Sequence, residues 1–95
     1  MATVERNGAN LWYQVLGQKG SPLTLIGGFA LVDDQFEFCN KYLLPHHRLV
    51  HWHYRGVGKS DWSMTEPYSV ESWVDDLAAV LDDAGVDKTS IWCTS

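Results

Sequence analysis

The sequence predicts an α/β fold, with a mainly parallel sheet and flanking helices, on three observations. Short apolar, β-branched runs such as Leu23-Thr24-Leu25-Ile26 are as long as a strand and stop at glycine-rich turns, as strands covered on both faces do. Segments of helical periodicity lie between them, most clearly after Ser69. The resulting order of strand, helix, strand, helix, strand is that of βαβ units with right-handed crossovers.

The first element is Asn10-Leu11-Trp12-Tyr13-Gln14-Val15-Leu16, rich in aromatic and β-branched residues and ended by Gly17. It is an opening strand, or one arm of a hairpin with the residues before Asn7-Gly8. Gly20-Ser21-Pro22 supplies turn chemistry ahead of the strand over residues 23–26, and Gly27-Gly28 starts the loop after it. Asp33 or Asp34 can cap the next helix, whose apolar surface is Phe36, Tyr42, Leu43 and Leu44 until Pro45 intervenes. A strand over residues 48–53 then leads into Tyr54-Arg55-Gly56-Val57-Gly58.

Ser69 is a favourable N-cap for the clearest helix. There Val70, Trp73, Val74, Leu77, Ala78, Leu81 and Ala84 fall at i, i+3, i+4, i+7, i+8, i+11 and i+14, and Gly85 supplies the C′ glycine. Glu71, Asp75, Asp76, Asp82 and Asp83 populate the other face and read as solvated surface. The last strand covers residues 89–93. There are no internal repeats and no linker, so the 95 residues form one unit with a modest core.

Composition excludes several classes of function. With 45% hydrophobic and 20% charged residues and no apolar run near the ~20 residues of a membrane span, a soluble globular protein without a membrane partner is expected. A net charge of −5 with dispersed acids lacks the basic footprint of a nucleic-acid binder. The opening residues carry neither the basic start nor the apolar stretch of a secretory signal, and the cytoplasm is the expected compartment. Cys39 and Cys93 do not make a disulfide framework and read as two buried thiols. His51 and His53 share one face of a strand, and His46 or His47 could add a third imidazole. No carboxylate or thiolate stands beside them in sequence, so neither a metal nor another cofactor is expected.

In open α/β sheets ligands bind beyond the carboxyl ends of the strands, which directs attention to the loops after Ile26, His53 and Cys93. Three segments there carry a family resemblance. Leu23-Thr24-Leu25-Ile26-Gly27-Gly28-Phe29 resembles the apolar strand ending in His-Gly of the α/β-hydrolases. Arg55-Gly56-Val57-Gly58-Lys59-Ser60-Asp61 is similar to their Arg-Gly-x-Gly-x-Ser-Asp turn. Ile91-Trp92-Cys93-Thr94-Ser95 is similar to the small-x-Ser start of their nucleophile elbow. Two positions depart from the pattern: Gly27 stands where His is usual and His53 where Asp is common.

The resemblance covers nearly the whole chain and implies the N-terminal part of an α/β-hydrolase fold. Residues 1–95 would be the N-terminal portion of a single domain, incomplete without a C-terminal segment. It implies Ser95 as the nucleophile, the Phe29 N–H as an oxyanion donor, and Gly28 and Ala30 at the substrate. Cys93 meets the size limit of the tight elbow, where most relatives use Gly. The bland alternative for Ser95 is an ordinary strand-end serine.

A serine is a weak nucleophile until a histidine oriented by an acid takes its proton. The resemblance puts both groups, and the second oxyanion donor, after Ser95. The expected partners are therefore that C-terminal segment and a small-molecule substrate: an apolar ester, thioester, lactone or vinylogous ketone. A serine at the elbow argues against the carboxylate chemistry of epoxide hydrolases and dehalogenases. The different-class alternatives are a non-catalytic ligand-binding module, or a cofactor-free oxygenase or lyase, on the same scaffold. A chain ending on its own nucleophile also raises the expectation of cleavage between Ser95 and its successor.

Overall fold

The computed structural model describes residues 2–27, 37, 39–62 and 69–93. It contains five strands, β1 (Ala2–Arg6), β2 (Ala9–Leu16), β3 (Ser21–Ile26), β4 (His47–Trp52) and β5 (Ser90–Cys93), with helices α1 (Asn40–Leu43) and α2 (Val70–Ala84). The sheet order is β1-β2-β4-β3-β5. β4, β3 and β5 run parallel, and the β1-β2 hairpin joins β4 antiparallel, so the α/β sheet is mixed as a whole.

The hairpin forms where two strand patterns flank Asn-Gly. Asn7 and Gly8 both adopt positive φ, 47° and 86°, the twist-matched two-residue turn that asparagine and glycine enter at low cost. Its register pairs Arg6 with Ala9 and Ala2 with Tyr13.

Alternation along the strands divides the core between the two faces of the sheet. Leu11, Tyr13, Val50 and Trp52 pack with Val80 and Val86, so α2 covers β1 and β2 on that face. Leu23, Leu25 and Leu49 form a second cluster with Leu16, Leu43 and Leu44, which places α1 on the opposite side. The centres of β3 and β4, residues 23–25 and 49–52, are thereby buried on both faces. Thr24 and His51 are the buried polar residues of these strands. The Thr89 hydroxyl donates to the Ser90 carbonyl at 2.8 Å, so it is the Thr24 hydroxyl that donates to Thr89 Oγ1, also at 2.8 Å, tying β3 to the start of β5.

Both ends of α2 follow the sequence signals. The Ser69 hydroxyl accepts from the Ser72 amide at 3.2 Å. Gly85 takes φ +75° and donates to the Asp82 carbonyl, while Val86 N–H reaches Leu81 O at 2.9 Å, completing a Schellman motif. The orientation of the helix differs from the apolar periodicity. Ser72, Asp76 and Val80 are its buried residues, whereas Val70 and Val74 are 69% and 59% exposed. Tyr13 donates to Asp83 at 2.6 Å, clamping β2 to α2. Burial, then the Asp83 carboxylate as acceptor and neighbouring charge, push the Tyr13 phenol up to about 12.

The first helix expected from Asp33 or Asp34 lies mostly outside the described residues. Its described part is the single turn of α1, where Leu43 and Leu44 turn to the core and Tyr42 faces outward.

Candidate functional site

The parallel strands end at one level. Leu25 of β3 stands beside His51 of β4 and Trp92 of β5, and Ile26 stands beside Cys93. The segments leaving β3, β4 and β5 therefore start side by side at the carboxyl edge of the sheet, where ligands bind in this architecture. The residues expected to do chemistry, Gly28, Phe29, Ala30 and Ser95, lie outside the described residues. What the structure does show is the frame from which their two segments depart.

The turn after β4 is fixed by a closed set of hydrogen bonds around His53. The His53 amide donates to Trp12 O and its carbonyl accepts from the Ser60 hydroxyl at 2.7 Å; Ser60 Oγ in turn accepts from the Trp12 amide. His53 Nδ1 accepts from the Lys59 amide at 2.9 Å, which assigns the ring proton to Nε2. The ring lies 4.3 Å from that of Trp12. A neutral imidazole thus accepts a loop N–H where the related motif has a carboxylate. Its Nδ1 being occupied, it is not a free metal ligand. Among the described residues no group of three His, Cys, Asp or Glu side chains could hold a metal ion.

Arg55 is fully buried and is held by two segments, α2 and the β1-β2 hairpin. Nε and one terminal nitrogen grip both oxygens of Asp76 at 3.0 and 2.9 Å, and the guanidinium also donates to the carbonyls of Arg6 and Asn7. Arg6 donates to Asp76 as well, and reaches Asp75 at 3.4 Å. Asp76 is 0% exposed, which corrects its assignment to the solvated face of the helix. The reason is the tilt of α2: position 76 lies in line with Ser72 and Val80, the row turned to the sheet. A buried guanidinium in the turn needs a buried acid. That requirement, applied to this row, is the signal that could have found Asp76.

Tyr54 follows His53 and points back across the sheet edge. Its hydroxyl donates to the Gly27 carbonyl at 2.7 Å, joining the turn after β4 to the exit of β3. The ring sits edge-on to Trp52 at 4.9 Å and 5.6 Å from Trp73. Burial, then the neighbouring Cys93 sulfur at the end of β5, raise the Tyr54 phenol above its ordinary value. Beside it an apolar hollow of about 190 Å³ is lined by Ile26, Trp52, Tyr54, Trp73, Val74 and Leu77. Cys39 and Cys93 are both free thiols, but Cys39 is only half-buried and Cys93 is exposed at the end of β5, which corrects the expectation that both are buried.

No family model matches the chain. It is 40% identical over 77 residues to the proline iminopeptidase PfmaB of Pestalotiopsis fici, a stretch that covers 78% of this chain and 27% of that protein. Among solved structures it superposes on an alpha/beta hydrolase from Sphaerobacter thermophilus with a TM-score of 0.84 and 29% identity, covering 99% of this chain and 35% of that one. It also superposes on Est816, described as an N-acyl homoserine lactone degrading enzyme, with a TM-score of 0.86 and 27% identity, covering 95% and 34%. The chain therefore spans about a third of the length of these relatives.

Proposed function

Because this chain belongs to the α/β-hydrolase fold family as an N-terminal part of that fold, we propose that it is one portion of a serine hydrolase completed by a C-terminal segment. Ser95 attacks the substrate carbonyl, a histidine of the C-terminal segment takes the serine proton, and an acid orients that histidine. The negative charge then developing on the carbonyl oxygen is met by the Phe29 N–H and by the amide following Ser95. Collapse of the tetrahedral intermediate expels the leaving group with a proton returned from the histidine, and water repeats the cycle on the acyl serine. Gly28 and Ala30 line the substrate beside the donor.

The observation that carries this reading is the register of β3 and β5. Ile26 and Cys93 are paired neighbours, so the segment bearing the donor and the segment bearing the nucleophile start from adjacent strands. The substrate class proposed is a small apolar ester, thioester, lactone or vinylogous ketone, to which the iminopeptidase relative adds amides. A cytoplasmic location belongs to the same proposal, supported by the two free thiols.

A fluorophosphonate probe tests the reading. In the completed domain it is expected to label Ser95 stoichiometrically, and Ser95→Ala is expected to abolish the label. A folded domain that binds ligand in the micromolar range, with Ser95 unlabelled, would instead identify a binding module on the same scaffold.

A further inference from the structure

We infer that Tyr54 is a positioning residue for the oxyanion donor, acting through its hydrogen bond to the Gly27 carbonyl; this rests on the serine hydrolase reading above. The relatives' motif begins its donor loop with histidine, and this chain has glycine there, so no side chain at position 27 can brace the loop. The phenol of Tyr54 supplies a brace from the neighbouring strand. Its oxygen is 2.7 Å from the Gly27 oxygen, and its ring is held against Trp52 and Trp73, so the donor is anchored at both ends of the side chain.

The physical route is short. A peptide unit is planar, so holding the Gly27 carbonyl fixes the plane in which the chain leaves β3 and leaves only the two Gly28 torsions between that plane and the Phe29 N–H. Glycine at position 27 otherwise leaves that plane the widest backbone freedom available. An oxyanion donor works because it is oriented before charge develops, and a donor free to wander loses much of that advantage. The direction of the hydrogen bond agrees with a structural role, since the phenol spends its proton on Gly27 and the raised affinity for that proton keeps it there.

Tyr54→Phe in the completed domain removes one oxygen and keeps the ring contacts. Removing a whole oxyanion donor costs ~10²- to 10³-fold in kcat, so loosening one is expected to lower kcat about tenfold, with KM changed less than about twofold. Affinity for a boronic acid that forms a tetrahedral serine adduct is expected to fall by the same factor, and endpoint labelling of Ser95 to stay stoichiometric. Expressing kcat per labelled serine separates this effect from instability, and Tyr54→Leu, which also removes the ring, provides the comparison. A variant that only destabilises the fold lowers the labelled fraction and leaves kcat per labelled serine alone. Unchanged kcat and adduct affinity in Tyr54→Phe, with Ser95 labelled, would overturn the role of Tyr54. Failure to label Ser95 in the unsubstituted domain would overturn the underlying reading and this role with it.

Discussion

Asp76 shows how one carboxylate decides the geometry of a turn. It receives the bidentate grip of Arg55 and a further hydrogen bond from Arg6, and it is sealed from water. Removing one partner of a buried pair leaves an uncompensated charge, which costs ~3 to 5 kcal/mol, far more than a surface pair is worth. Asp76→Asn in the completed domain is therefore expected to lose on the order of 3 kcal/mol in urea denaturation. The double variant Arg55→Met with Asp76→Leu is expected to lose less than Asp76→Asn, since the fully buried Arg55 charge leaves with its partner and the partly exposed Arg6 keeps Asp75. A loss near zero for Asp76→Asn would show that the cluster is hydrated. The turn that Arg55 opens was legible from Arg-Gly-x-Gly. Its acid was not, because the sequence around residue 76 offers two helical rows and the wider apolar one draws the eye.

At the scale of elements, ends and turns were more legible than faces. Asn7-Gly8, the Ser69 cap and Gly85 stand where local chemistry put them, since each satisfies backbone groups without help from afar. The buried face of α2 departs from the apolar stripe because tertiary contact, not periodicity alone, selects which row meets the sheet. Val70 and Val74 belong to that stripe yet stay exposed among the described residues.

Two glycines separate strain from crowding. Gly85 has φ +75° and open space where the methyl group of an alanine would stand, so Gly85→Ala is expected to cost about 1 kcal/mol, the penalty of a left-handed residue with a side chain. Gly20 has φ +82°, and a Cβ there would come within 1.9 Å of the His46 carbonyl oxygen, a backbone atom. Gly20→Ala is expected to cost ~2 to 4 kcal/mol, adding overpacking to strain. Thermal denaturation of the two variants checks the order, and equal losses would contradict it.

Across the whole molecule, apolar surface is unevenly covered. Val70 and Val74 on α2, with Ile91 and Trp92 on β5, are exposed large hydrophobic residues, and every residue of β5 is exposed. Exposed patches of this kind mark interaction sites or aggregation liabilities. The 95-residue chain by itself is expected to enhance 8-anilinonaphthalene-1-sulfonate fluorescence and to self-associate, and co-expression with the C-terminal segment proposed above is expected to suppress both. A monomeric, dye-silent chain would contradict this. The α/β class and the common exit level of three strands were legible because they depend on pattern and order. The mixed character of the sheet depends on which strand β2 chooses as its neighbour, and no local signal in residues 9–16 states that. The anchoring of Arg55 on the carbonyls of Arg6 and Asn7 has an effect on folding fidelity. A one-residue slip of the first two strands would carry those carbonyls away from the guanidinium, which Asp76 would still neutralise, and leave buried N–H donors without acceptors. The arginine of a distant turn thus proofreads the hairpin, rejecting misaligned pairings that the strands themselves would tolerate.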